Sequence, residues 1–123
     1  MNKKELEQRL ISFSSSVLRE VQKLKKDPAR NHLSGQIIRS STAVALNYGE
    51  AQSAESKRDF IHKSGIVLKE LRETYINLSL IKDLEENPES LKALSNLLKE
   101  NNELIAIFHK TVQTAKQNAG IDS

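Results

Sequence analysis

The chain has 123 residues, the length of one domain, and 19 Lys and Arg against 16 Asp and Glu give it a net charge of +3. It has no cysteine, which excludes disulfide bonds, thiolate metal ligands and cysteine nucleophiles. Four glycines, two prolines and few aromatic residues argue against a turn-rich β fold and favour long helices around an aliphatic core.

The first predicted helix covers residues 3–26. Apolar side chains recur every three or four positions along it and form one stripe. These are Leu6, Leu10, Phe13, Val17, Val21 and Leu24. The residue before a proline resists the helical conformation, so we expect Asp27 and Pro28 to end this helix.

Basic side chains lie on the other face of the same helix. Residues 1–26 carry seven basic and three acidic side chains, a local charge of +4. Arg19, Lys23 and Lys26 share this face, and Arg30 lies just beyond it. Such a row is sufficient to bind phosphates, and a ring of copies would multiply it. No aromatic residues alternate with these cations, so binding to the RNA or DNA backbone is expected rather than base stacking. The alternative is a solvated helix face.

The second predicted helix, residues 33–52, is almost free of charge. Between residues 31 and 54 only Arg39 and Glu50 are charged. A helix with so little charge is normally covered on every side, whereas a lone small bundle would leave one side in water. We therefore expect the chain to assemble with copies of itself. The expected core stripe of this helix is Leu33, Ile37, Ser41, Val44, Tyr48 and Ala51.

A second line of residues on this helix faces away from its core stripe and is the predicted oligomer interface. It contains Arg39, Ala43, Leu46 and Glu50, and Ile11 and Leu18 lie off the main stripe of the first helix. Arg39 and Glu50 are too far apart to pair within one helix. We expect each to pair with a neighbouring subunit. The alternative is that they remain solvated or bond within their own bundle.

The third and fourth helices are predicted at residues 56–84 and 88–117. Ser56 and Asp59 form a helix-start signal, and Asn87 and Pro88 form another. The expected core stripe of the fourth helix is Leu91, Leu94, Leu98, Ile105, Phe108, Val112 and Ala115, with Asn101 or Asn102 at a further core position. Short links between long helices force antiparallel neighbours. The sequence thus predicts one all-α domain over residues 1–123, an up-down-up-down four-helix bundle.

Charged and polar residues on the third helix suggest a structural network rather than catalysis. Buried charge is tolerated only when it is paired, so we expect Asn47, Lys63, Glu70 and Glu73 to form a partly buried polar network. A di-iron bundle would need Glu-x-x-His pairs, and the sequence has none. We predict no catalytic residue, metal or cofactor, and we do not expect an enzyme. No run approaches 18 apolar residues, so we expect a soluble cytoplasmic protein without a membrane partner.

The middle of the chain resembles a known family. Residues 39–74, RSSTAVALNYGEAQSAESKRDFIHKSGIVLKELRET, closely resemble the 23S ribosomal RNA intervening-sequence proteins, also called four helix bundle or S23 proteins. The matching positions are Arg39, Ser40, Asn47, Glu50, Ala51, Ser56, Asp59, Phe60, Lys63, Glu70, Glu73 and Thr74. One departure is Asn77-Leu78, where many members have Trp-Leu.

This resemblance implies a bacterial four-helix bundle that assembles as a homopentamer around a central channel. Together with the basic first helix, it leads to our principal hypothesis, a non-enzymatic ring that binds RNA or DNA. The alternative is a scaffold that binds another protein and no nucleic acid.

Overall fold

The computed structural model describes residues 1–121, so the last two positions of the predicted domain lie outside it. It contains four helices: α1 (Lys3–Val21), α2 (Pro28–Gln52), α3 (Lys57–Leu84) and α4 (Pro88–Asn118). Each helix packs against the two beside it, and the backbones of diagonal helices do not come close. The predicted all-α, up-down-up-down bundle is therefore confirmed. The closest packing joins α2 to α3, and the loosest joins α1 to α4.

The boundary between α1 and α2 differs from the prediction. α1 ends at Val21 rather than at residue 26, and α2 begins at Pro28 rather than at residue 33. Asp27 is the N-cap of α2, because its carboxylate accepts a hydrogen bond from the Arg30 amide at 2.8 Å, and Pro28 occupies the first turn. Asp27 and Pro28 thus mark the start of a helix, and the preceding link places Leu24 in the core.

Side-chain caps begin all four helices. Ser56 accepts a hydrogen bond from the Asp59 amide at 3.0 Å, and Asn87 accepts hydrogen bonds from the Glu89 and Ser90 amides. These two predicted starts are confirmed, and α3 and α4 end within one residue of the predicted positions. At the start of α1, Asn2 caps the Glu5 amide.

The core is aliphatic, as the composition indicates, and its central aromatic pair is Tyr48 on α2 and Phe108 on α4. Their rings meet edge to face with centroids 5.4 Å apart. The predicted stripes of α1 and α2 are buried, except that Leu33 is only partly covered. On α4 the stripe differs from the prediction. The buried residues are Leu94, Leu97, Asn101, Leu104 and Phe108, while Leu98 and Ile105 lie at its edge.

Polar side chains form a layer across the middle of this core. Ser14 donates to the Ser41 carbonyl oxygen at 2.6 Å, which joins α1 to α2. The hydroxyls of Thr74 and Ser40 lie 2.8 Å apart and join α3 to α2. Asn101, fully buried, donates to the Leu71 carbonyl oxygen at 3.0 Å and joins α4 to α3. Of the two asparagines predicted for a core position of α4, Asn101 is the buried one and Asn102 is exposed.

Candidate functional site

Three of the four predicted phosphate-binding cations are exposed at the end of α1. Arg19 lies in the last turn of the helix, and Lys23 and Lys26 lie in the link that follows. The Lys23 side chain is 68% exposed. Because α1 ends at Val21, these cations occupy a helix end and a link rather than the face of one helix. Lys25 is exposed beside them and was not predicted to belong to this basic end.

Arg30, the fourth predicted cation, has a structural role instead. One guanidinium nitrogen pairs with the Asp27 carboxylate at 2.5 Å, and another donates to the Leu84 carbonyl oxygen at 2.6 Å. Its side chain is only 20% exposed. Arg30 therefore ties the start of α2 to the end of α3, and we remove it from the candidate phosphate contacts.

Arg39 is bonded within its own bundle, as the alternative interpretation held. Its guanidinium donates to both oxygens of Glu70, at 2.8 and 3.4 Å, and to Glu73 at 2.5 Å. The Glu70 side chain is only 9% exposed, whereas that of Arg39 is 60% exposed. These bonds, first to Glu70 and then to Glu73, raise the pKa of Arg39 above its ordinary value. The cluster links α2 to α3.

Glu50 also finds its partner within the chain. Its carboxylate lies 3.0 Å from Lys63 Nζ, again between α2 and α3. The predicted single polar network was wrong, because Lys63 pairs with Glu50 and not with Glu70. Asn47 joins neither pair, since its amide donates to the Ala43 carbonyl oxygen of its own helix at 2.8 Å. Two separate ion-pair clusters replace the one network.

The apolar members of the predicted oligomer interface are partly open to solvent in the single chain. Leu46 is 69% exposed and Ile11 is 43% exposed, while Leu18 and Ala43 are half-buried. Other exposed apolar side chains were not assigned to the interface from the sequence. They are Ile38, Ile76, Leu80 and Leu84. The signal for all four is their position off the core stripe of α2 or α3.

A groove runs between α1 and α4, the most loosely packed pair of helices. It has a volume of about 420 Å³. Phe13 and Leu97 line its floor, and Arg19 and Lys23 lie at its edge. Glu20, a residue that is 7% exposed, also lines it. Glu20 was not among the candidate site residues predicted from the sequence.

An ion pair joins α1 to α4 beside this groove, whose lining includes Glu100. The Arg9 guanidinium donates to both oxygens of Glu100, at 2.8 and 2.6 Å, and lies 3.6 Å from Glu103. The hydrogen bond to Glu100 is the main reason that the pKa of Arg9 lies above its ordinary value. This pair supplies the charged link between α1 and α4.

Within residues 1–121, no group of three or more His, Asp and Glu side chains is arranged to hold a metal ion. No helix in the same range has the length and apolar character needed to cross a membrane. The surface features of the described bundle are the charged end of α1, the α1–α4 groove and the exposed apolar side chains.

Comparison with solved structures gives the fold a precedent. The chain is similar to a protein of unknown function from the S23 ribosomal protein family of Bacteroides thetaiotaomicron VPI-5482, whose crystal structure was determined at 1.70 Å resolution. The two are 25% identical with a TM-score of 0.79, and the match covers 92% of this chain and 99% of the other. The comparison with curated proteins finds no match. The sequence matches the 23S rRNA-intervening sequence protein family over residues 2–109, which is most of its length, and the chain belongs to that family.

Proposed function

We propose that this protein is a non-enzymatic, self-assembling bundle of the cytoplasm that binds the RNA or DNA backbone through basic surfaces of a homo-oligomeric ring. The observation that carries this proposal is the exposed basic end of α1, formed by Arg19, Lys23, Lys25 and Lys26. Within residues 1–121, Lys23 is the only one of these four that forms an ion pair, with Glu20 at 3.6 Å. The remaining positive charge is free to meet phosphates.

Electrostatics explains why assembly matters for binding. One subunit offers only a few phosphate contacts, and each contact releases counterions from the nucleic acid. Several subunits held in one ring present several such ends to the same strand, so that later contacts form at a high effective concentration. The resemblance to the family suggests five copies.

The exposed apolar side chains support assembly. Leu46 and Ile76 are more than half exposed, and α2 carries few charges that would oppose burial of its outer side. Large apolar side chains left on a surface commonly mark a contact with another protein. Arg39 and Glu50 are already paired within the chain, so in this proposal they border the subunit contact as fixed ion pairs rather than forming it alone.

Binding is tested by fluorescence anisotropy with a short single-stranded RNA and a duplex DNA over a salt series. We expect affinity to fall steeply between about 50 and 200 mM salt, as counterion release requires. The double variant Arg19→Glu/Lys23→Glu should weaken binding and leave the oligomer mass unchanged. The matched control Lys92→Glu/Lys110→Glu changes the net charge equally on α4, at two other exposed lysines, and should bind more tightly than the α1 variant. Absence of binding at low salt, or affinity that does not depend on salt, contradicts the proposal.

Assembly is tested separately by native mass spectrometry of protein purified without nuclease. We expect a ring of several copies, and Leu46→Glu should reduce its mass because it places a charge in the subunit contact. The control Asn102→Glu alters an exposed position of α4 and should leave the mass unchanged. A folded monomer at micromolar concentration contradicts self-assembly.

A second candidate function is a scaffold that binds another protein. It is favoured by the same exposed apolar residues, chiefly Leu46 and Ile76, if they remain accessible in the ring. Affinity purification that returns one protein in a fixed ratio, together with no binding in the anisotropy series, would favour the scaffold over the nucleic-acid-binding ring.

A further inference from the structure

The Glu20 carboxylate lies in the α1–α4 groove, where it is open to a ligand. Its side chain is only 8% exposed, yet it lines the groove between α1 and α4. Its cationic neighbour within residues 1–121 is Lys23 Nζ at 3.6 Å, which is too long for a hydrogen bond. Its carboxylate oxygens are not among the fully buried polar atoms of the bundle, so they reach the groove. Within residues 1–121 the protein donates no hydrogen bond to them, which leaves them open to a donor in the groove.

The other carboxylate of the groove does not share this property. Glu100 accepts two hydrogen bonds from Arg9, at 2.8 and 2.6 Å, so its charge is already matched. Two cations remain at the groove edge. Arg19 is exposed and makes only a 3.5 Å contact with Ser16 Oγ, and Lys23 is largely exposed. The groove thus combines one carboxylate, on a largely buried side chain, with two nearby cations.

A ligand that fits this arrangement must carry nitrogen donors and an anion a short distance away. A nucleotide carries both, on its base and on its phosphate. Among the unpaired bases, guanine presents two adjacent N–H donors, N1 and N2, that match the two oxygens of one carboxylate. Cytosine, adenine and uracil each place an acceptor beside their donor, which would face the second carboxylate oxygen. Unpaired bases in single strands expose these edges to a protein.

The shape of the groove is compatible with such a ligand. Its volume of about 420 Å³ lies in the ordinary range of small-ligand sites, about 300 to 1,000 Å³. Phe13 and Leu97 give it an apolar floor on which the body of a base can pack. This packing does not require the base to stack face to face on the Phe13 ring. Because α1 and α4 are the most loosely packed helices, the groove is open at the surface to a strand.

From these observations we propose that the α1–α4 groove binds one unpaired guanine of a single strand. Glu20 accepts from guanine N1 and N2, and Arg19 and Lys23 contact the adjoining phosphate. This inference rests on the proposed nucleic-acid binding and adds a base preference to it.

The test compares three short RNA strands of equal length by fluorescence anisotropy: all uridine, uridine with one central guanosine, and uridine with one central inosine. Inosine retains the N1 donor and lacks the N2 amino group. A bidentate contact to a base edge gives discrimination on the order of tenfold. We therefore expect the guanosine strand to bind about tenfold more tightly than the uridine strand, and the inosine strand to lose most of that gain.

The variant Glu20→Gln should abolish the preference for guanosine, because a carboxamide offers one acceptor beside one donor. Its affinity for the uridine strand should not fall, since Arg19 and Lys23 are intact. The control Glu86→Gln makes the same change of charge at an exposed position of the α3–α4 link, and it should preserve the preference. If Glu20→Gln does not fold by circular dichroism, the guanosine and inosine strands still decide the question with the unchanged protein.

The outcomes separate this inference from the proposed function. Equal affinity for the three strands, or a guanosine preference that persists in folded Glu20→Gln, overturns the guanine site and leaves backbone binding in place. No binding of any strand overturns both. Tighter binding of an arginine-rich peptide than of the guanosine strand, lost in Glu20→Gln, overturns the guanine site and identifies a peptide groove.

Discussion

Two sides of this bundle, the α2–α3 interface and the α1–α4 interface, are held together in different ways. α2 and α3 are joined by Arg39 with Glu70 and Glu73, and by Lys63 with Glu50. α1 and α4 pack loosely and share the Arg9–Glu100 pair, with a groove beside it. This chain therefore concentrates its interhelical ion pairs between α2 and α3. The α1–α4 side retains a cleft lined by Glu20, whose side chain is largely buried and whose carboxylate accepts no hydrogen bond from residues 1–121.

The family pattern falls mainly on the tightly joined side. Its charged positions include both partners of the Lys63–Glu50 pair and all three members of the Arg39 cluster. Its small polar positions include Ser40 and Thr74, whose hydroxyls meet in the core, and Ser56, which caps α3. These residues therefore specify how α2 packs against α3. They carry little information about a ligand.

Truncation of a core leucine should give the largest difference in the free energy of unfolding between the α2–α3 side and the α1–α4 side. Leu71 is fully buried on α3, whereas Leu97 lines the open groove. Leu71→Ala leaves a cavity that water cannot easily fill and should lower the free energy of unfolding by about 2 to 5 kcal/mol. Leu97→Ala should have less than half of that effect, because it widens a space already open to solvent. Urea unfolding followed by circular dichroism measures both; equal losses would contradict the contrast.

Ion-pair deletions should give a smaller difference of the same sign. Arg39→Ala leaves the nearly buried Glu70 without its bidentate donor and should lower stability by about 1 to 2 kcal/mol, after allowance for the exposure of Arg39. Arg9→Ala at the partly exposed Glu100 should lower stability by less than about 1 kcal/mol. Urea unfolding provides the comparison, and Arg39→Lys is the control that retains the charge but not the bidentate geometry.

The same Arg39 variant tests the predicted interface. Native mass spectrometry of Arg39→Ala should show an unchanged oligomer if Arg39 acts only between α2 and α3. A reduced oligomer mass in a variant that is as well folded as the parent would show that the Arg39 side chain also contributes to the subunit contact.

The smallest expected effect is a pH dependence of the stability contributed by Asp27, the N-cap of α2. The hydrogen bond from the Arg30 amide is the main cause that lowers the pKa of Asp27 below its ordinary value of 3.8, and the Arg30 side chain lowers it further. The stability from this cap is therefore fully present above the ordinary pKa and is lost as the pH falls through the lower pKa of the folded state. Asp27→Asn retains a capping oxygen that does not titrate, so urea unfolding of this variant should be less sensitive to acid. An identical pH profile in variant and parent would refute this assignment.

The sequence predicted the helix starts at Ser56 and Asn87 and the core stripes of α1 and α2, because caps and apolar periodicity are local signals. It misplaced the α1–α2 link, because Asp27 and Pro28 can both end one helix and begin the next. It also misassigned the partners of Lys63, Arg39 and Glu50, since ion pairs between helices depend on the rotation and relative height of those helices. The groove beside Glu20 could not be found from spacing, because its second wall belongs to α4.

The number of helices, their antiparallel order and the family follow from the sequence, since they depend on residues close together in the chain. Which charges are paired and which remain open to a ligand follows only from the packing of the helices. The reason is that pairing depends on distances of a few ångströms between side chains on different helices. These distances are set by how the helices pack, and helical periodicity does not contain them.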